Sequence, residues 1–321
     1  MVIQHQENIL KKKVHLPFQN MTRETWLNLA IAATLTFYIL QIGFIVFNGR
    51  ICQNIGSDYC AYWSAGKIIN ESGFSDVYNL NRLRQAQVQI YSQTDNPNFH
   101  VFGVMYLPIF VFLFKYFSLL KPTPSYLVWT FINLSGFILY LTYFIKKTGG
   151  KPLPNKMLLL LSLSLPVFVN FHEGQVNVWL MICAGEFVRA ILTKNHFKGG
   201  LWLGGWLLKP QLLILIIPFI LFQRLGKILW GFLTYSAIIF LISFGLTQGK
   251  GVLNLVNLFL EAGSGAVTSN PAAMMNWRML GWYITSITSP PIGWTFIIII
   301  SIITVFVTLH ILARHKHFQL D

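Results

Sequence analysis

Asp58 stands in Gly56-Ser57-Asp58-Tyr59-Cys60-Ala61-Tyr62-Trp63, an acid set among aromatic residues ten positions beyond a long uncharged run. A carboxylate held at the level of lipid headgroups can act as general base on a lipid-anchored hydroxyl, because both reactants reach it there. The competing assignment is a helix cap, a common use of aspartate. Elimination narrows the field. Of the chain's ten acids, Glu7, Glu24 and Asp321 fall in terminal segments, and Glu186 is spaced for an ion pair with Arg189. Asp58, Glu71, Asp76, Asp95, Glu173 and Glu261 remain.

Lys209 lies near the middle of an apolar stretch from Gly200 to Phe222. An ammonium there costs a few kcal/mol unless it meets water, a partner or a phosphate, so a phosphate or pyrophosphate contact is one assignment and snorkelling the other. Gln175 and Asn177 follow Gly174 at a helix start, where backbone and side-chain amides together can bind sugar hydroxyls or phosphate oxygens, or where the helix simply begins. Glu173 beside them is either a second acid or a carboxylate favoured by the helix dipole. In Asn276-Trp277-Arg278, the arginine fork suits a phosphate, and Trp277 suits either a sugar face or the membrane interface.

Other chemistries find no support. His100, His172 and His196 have no metal-ligand spacing, and there is no HExxH, paired CxxC or phosphate-cradling glycine loop. No cofactor and no metal are expected. The net charge of +14 does not point to nucleic acid, because the lysines and arginines sit in short segments between apolar runs, where they set membrane orientation. Three cysteines are too few for a disulfide framework; Cys52 and Cys60 either pair or stay free.

The elements that must position these groups are membrane helices. Apolar residues make up 54% of the chain and charged ones 11%, and Trp26 to Asn48, Ser125 to Ile145, Ile228 to Thr247 and Ile292 to Ala313 each carry uncharged runs of spanning length. The predicted fold is all-α, a polytopic transmembrane helical bundle with about 7–9 membrane-inserted segments and two long external loops. The expected division is a cytoplasmic basic segment over 1–25, a transmembrane domain over 26–313 with external loops at 49–100 and 248–290, and a cytoplasmic tail over 314–321. Lysine clusters at 146–156, 194–198 and 224–227 prefer the cytoplasm. That preference requires Val101 to Leu120, interrupted by Pro108 and Lys115, to be only partly inserted, with residues 155–171 rising to the outer face and Val176 to Thr193 returning. Lys209-Pro210 then marks the tip of a helical hairpin or the kink of a single span.

With these residues in place, the chain resembles the polytopic glycosyltransferases of GT-C fold, and among them glycosyltransferase family 87, which includes polyprenyl-phosphate-mannose-dependent mannosyltransferases. The resemblance is carried by Gly56-Ser57-Asp58-Tyr59 to Tyr62, Val77-Tyr78, Tyr106-Leu107-Pro108, Gly174-Gln175-Val176-Asn177, Gly204 to Lys209-Pro210, and Asn276-Trp277-Arg278. It implies Asp58 as catalytic base, Lys209 and Arg278 at the donor phosphate, and Gln175, Asn177, Glu173, Tyr62, Tyr106, Asn276 and Trp277 around the sugar or donor. It also implies a polyprenyl-phosphate hexose, mannose first, as donor, a lipid or glycan acceptor, contact with membrane lipids, and a site on the extracytoplasmic side of the plasma (inner) membrane. Members of that family often carry further spans after the second external segment, where this chain shows one. The alternative is a transporter or flippase of lipid-linked saccharides, for which broken helices and an intramembrane lysine serve equally. The lack of internal repeats and the gathering of polar groups on one face count against it.

Overall fold

A computed structural model describes residues 22–48, 51–52, 57–91, 101–151, 153–263 and 277–314. Among them there is no strand. The first helix, α1 (Arg23–Asn48), carries its only charges at its start. The segment expected to be the first external loop is largely helical instead: α2 (Ser57–Ser72), a 3-10 turn at Phe74–Asp76 and α3 (Leu80–Tyr91). Next come α4 (Pro108–Phe117), α5 (Pro122–Lys147), α6 (Asn155–Ser162), α7 (Leu165–Glu173) and α8 (Asn177–Leu192). The chain continues through α9 (His196–Gly204), α10 (Leu213–Phe222) and α11 (Gly226–Thr247). The second expected loop also holds helices, α12 (Lys250–Gly263) and α13 (Trp277–Ile287), ahead of α14 (Pro290–Arg314). Both α12 and α13 are amphipathic, a pattern read too easily as loop when the apolar run is short.

Among the described residues, three helices, α5, α11 and α14, are long and apolar enough to cross a membrane; the wider count of 7–9 insertions is not established. In α14 only 6% of the most apolar stretch is buried. Apolar surface on that scale needs a hydrocarbon phase to cover it. Over 101–120, residues 101–107 are extended and α4 has ten residues, about 15 Å of helix against a ~30 Å hydrocarbon core. The helix alone is therefore too short to cross that core. The expected single rise over 155–171 is two short helices, broken at Leu163 and Ser164 because Pro166 opens α7 and cannot continue α6.

The core centres on α2. Its Tyr59, Tyr62 and Trp63 are buried against Phe110, Val111 and Phe114 of α4 and Tyr126 and Trp129 of α5. Full burial of a side chain such as Phe114 contributes about 1.5–3 kcal/mol. Contact between α2 and α4 depends on Gly66, where a methyl group would collide with the Phe114 carbonyl. A second small-residue seam joins α9 to α11: Gly200 meets Ile228 and Gly231, and Gly204 meets Tyr235. α9 and α11 therefore run in the same direction, which places the break at Lys209 at one end of that seam.

Candidate functional site

Asp58 occupies the first turn of α2, and the backbone beneath it is fixed from three sides. A disulfide joins Cys52 to Cys60, with Cα atoms 5.7 Å apart. The Tyr59 ring packs against Tyr126 at 5.5 Å and Phe114 at 5.9 Å. Its hydroxyl bonds Ser125 Oγ, which itself donates to Phe117 O at 2.6 Å, so the tyrosine is the donor. The cysteine pair that the sequence left open is thus closed beside the acid.

The turn after α7 meets this corner. Gly174 takes a left-handed conformation, φ 70° and ψ 33°, and a Cβ there would lie 2.5 Å from Tyr59 Cβ. Glycine satisfies both demands. Trp129 Nε1 donates to Gly174 O at 3.0 Å and the Tyr126 hydroxyl to Phe171 O at 2.6 Å, fastening the turn to α5. Of the two alternatives for the amides at the start of α8, helix initiation accounts for those of Gln175 and Asn177. Gln175 N bonds Asn170 O at 2.8 Å, and Asn177 N bonds Asn170 Oδ1 at 3.2 Å, so the chain satisfies these donors itself.

What remains available are the side chains, and they form a directed chain. Lys209 Nζ donates to Asn177 Oδ1 at 2.8 Å. Asn177 Nδ2 then donates to Gln175 Oε1 at 2.7 Å. With its oxygen occupied, Gln175 can offer only its NH2 group to Asp58, to which it is hydrogen-bonded. An ammonium and a carboxylate from distant parts of the chain are therefore joined through two amides, each oriented by its neighbours. Lys209 stands between two 3-10 turns, Gly205–Leu208 and Pro210–Leu212, because Pro210 disfavours helix at the residue before it.

The electrostatics separate the two ends. Burial raises the Asp58 carboxyl first, the Glu173 charge raises it further, and Lys209 and Gln175 pull it back, leaving it at about 6. Glu173 Oε1 lies 2.8 Å from His172 Nδ1. The other described acids are engaged elsewhere: Glu71 with Lys67 at 3.7 Å, Asp76 with Arg82 at 3.8 Å, Glu24 with Lys156 at 2.8 Å, and Glu186 with Arg189 as the spacing predicts. Asp58 and Glu173 are the acids that meet at the site.

Tyr62 and Tyr106 also belong here, since the Asp58 charge acts on both phenols. Asn276 lies outside the described residues, as do the side chains of Trp277 and Arg278, whose backbone opens α13. Asp95 is likewise outside, as is the side chain of Glu261, whose backbone lies in α12. Among the described residues, no three His, Cys, Asp or Glu side chains gather as metal ligands.

Sequence reasoning missed two contributors. Asn170 holds the Gln175–Asn177 turn through both its backbone and its side-chain oxygen. Gln87, fully buried, grips Phe102 with both ends of its amide, at 2.8 and 2.9 Å, and so steadies the extended segment that carries Tyr106. Neither stands in a motif; each is an ordinary amide whose role depends on distant backbone.

Beside the site, an apolar cleft of about 630 Å³ runs between α1, α5, α6 and α7. Leu35, Leu134, Leu158 and Phe168 line it, together with Phe171 and His172, the residues before Glu173 in the chain.

A family model described as glycosyltransferase family 87 matches residues 105–320, about two thirds of the chain. The matched stretch contains Tyr106, Glu173, Gln175, Asn177, Lys209 and Arg278; it begins after Asp58 and Tyr62. No curated protein and no solved structure matches the chain.

Proposed function

The chain belongs to glycosyltransferase family 87 and is a membrane glycosyltransferase, and we propose that it moves a hexose, mannose first, from a polyprenyl-phosphate donor to a lipid or glycan hydroxyl with Asp58 as general base. Family membership takes the place of the transporter alternative. The observation that carries the finer reading is the Lys209–Asn177–Gln175–Asp58 chain, which holds a cation for a phosphate within reach of a base for a hydroxyl.

In this reaction Asp58 takes the acceptor proton, the acceptor oxygen bonds to the anomeric carbon, and the bond from that carbon to the phosphate oxygen breaks. The lipid phosphate leaves with the electron pair, and Lys209 stabilises its charge in a setting where burial strengthens the interaction. Arg278 is a second candidate for the same phosphate. Asn177 is the present partner of Lys209, so the phosphate displaces or shares that contact on binding.

The apolar cleft that His172 helps to line supports a donor carried on a hydrocarbon chain, because a nucleotide would gain nothing from such walls. The Cys52–Cys60 disulfide supports an extracytoplasmic site in the plasma membrane, since thiols facing the cytosol are kept reduced. Among the described residues no third His, Cys, Asp or Glu gathers with Asp58 and Glu173 as a divalent cation's ligand set would, and we expect transfer to persist in EDTA.

The test is transfer of radiolabelled mannose from polyprenyl-phosphate mannose by the protein in membranes. Asp58→Asn should lower turnover about 10²- to 10⁴-fold while donor binding persists. Unchanged turnover would remove Asp58 as base.

A further inference from the structure

Two tyrosines beside Asp58 are coupled in one direction. The Tyr62 hydroxyl donates to the Tyr106 hydroxyl at 2.9 Å, with the rings edge to face at 5.1 Å. A phenol has one proton. That of Tyr62 is engaged by Tyr106, whereas that of Tyr106 meets no acceptor among the described residues.

The position of Tyr106 does not depend on its hydroxyl. Its carbonyl accepts from the Tyr78 hydroxyl at 2.7 Å, its ring packs on Phe110 at 4.9 Å, and Gln87 holds the chain four residues earlier. Tyr62 is 2% exposed, while Tyr106 is half-buried. Tyr106 is therefore the outer member of the pair, rigidly held, with its oxygen occupied and its proton unassigned. A donor in that state is prepared for a ligand oxygen.

The surroundings select which oxygen. A phosphate beside Asp58 and Glu173 would be repelled and is drawn instead to Lys209. Tyr62 stands one turn along α2 from Asp58, on the same side of the helix, so a hexose whose anomeric carbon faces the acceptor at Asp58 has the tyrosine pair as a neighbour. Its ring hydroxyls are neutral acceptors of the required kind.

We propose that Tyr106 donates a hydrogen bond to a hydroxyl of the transferred hexose, and that Tyr62 is a positioning residue that fixes the direction of the Tyr106 proton. The assignment rests on the transfer reaction proposed above. Tyr106 thereby selects for the sugar, while Lys209 and the apolar cleft act on its carrier.

Tyr106→Phe keeps the ring and its packing, so the thermal midpoint should stay within about 2 °C of wild type while kcat/KM falls about 10- to 100-fold. Tyr62→Phe should lose less, about 2- to 5-fold, and the double variant should lose no more than Tyr106→Phe alone. With monodeoxy mannoses on farnesyl phosphate as probes, one deoxy position should lower kcat/KM in the wild type and produce no further loss in Tyr106→Phe. Losses that multiply for every deoxy donor, or a Tyr106→Phe enzyme with unchanged kcat/KM, overturn the assignment while leaving the parent reading intact if Asp58→Asn is inactive. A wild type that transfers no hexose from any lipid-phosphate donor overturns both.

Discussion

Replacing Glu173 with glutamine removes a charge next to the proposed base while keeping the size and hydrogen-bonding reach of the side chain. Burial is the main reason the Asp58 carboxyl is raised to about 6, and the Glu173 carboxylate is the next. If Asp58 takes the acceptor proton, kcat/KM must rise with pH along a limb centred at about 6. At pH 5 about a tenth of the carboxyl is ionised and at pH 7 about nine tenths, so the rate should differ roughly tenfold between them. The sign of the substitution follows from repulsion. Without the neighbouring negative charge, ionisation becomes easier, the limb moves to lower pH, and relative activity at pH 5 increases. Lys209→Gln acts in the opposite sense, moving the limb to higher pH, because it removes the cation that favours the ionised form. His172 contacts Glu173 at 2.8 Å, so His172→Gln is the control; the limb must survive it. The assay is kcat/KM for mannose transfer across pH 4.5–8, since that ratio reports the free enzyme. A limb centred near 4, one that disappears in His172→Gln, or one that moves to higher pH in Glu173→Gln would refute Asp58 as the titrating base.

Gly174→Ala should destabilise the protein by at least about 1–2 kcal/mol, from the left-handed backbone and the overlap with Tyr59, and should lower transfer by misplacing Gln175; a thermal shift together with kcat checks both. Thr148→Cys, exposed just after α5, should resist labelling by an impermeant maleimide added outside intact cells, and efficient labelling would reverse the orientation assigned to α5. Leu134→Trp in the apolar cleft should raise KM for a long-chain polyprenyl-phosphate donor while leaving that for a short-chain analogue nearly unchanged, and equal effects on both would separate the cleft from the lipid chain.

The membrane helices were legible because hydrocarbon imposes one requirement on every residue of a span, and a run such as Ile228 to Thr247 meets it without reference to the rest of the chain. The break at Lys209-Pro210 was legible for a similar reason: proline acts on its own neighbours. The helices α12 and α13 were not, since each is short and its apolar face has meaning only against a partner or a lipid surface. The same distinction runs through the site. Asp58, Gln175, Asn177 and Lys209 could be nominated one at a time from residue type and local spacing. Their connection could not, because the amide orientations that make it directional are set by contacts between residues 32 positions apart.

That connection explains why so many weak signals lie in separate short segments. Under the proposed transfer, a base and a cation that act on opposite sides of one anomeric carbon cannot be neighbours in a helix, since adjacent charges would neutralise each other directly. They have to arrive from different elements and be held apart by groups that transmit orientation without transferring a proton, a task suited to neutral amides. Gly174 allows the Gln175–Asn177 turn to press onto α2, Trp129 and Tyr126 fasten it to α5, and the disulfide fixes the first turn of α2 from the other side. Burial of Asp58 follows from this clamping, and with it the raised carboxyl that makes the residue a stronger base than an exposed aspartate. The basicity that the proposed role requires of Asp58 is thus a consequence of how tightly α2 is packed, and loosening that corner by a distant change such as Gly66→Ala should lower both stability and the centre of the pH limb.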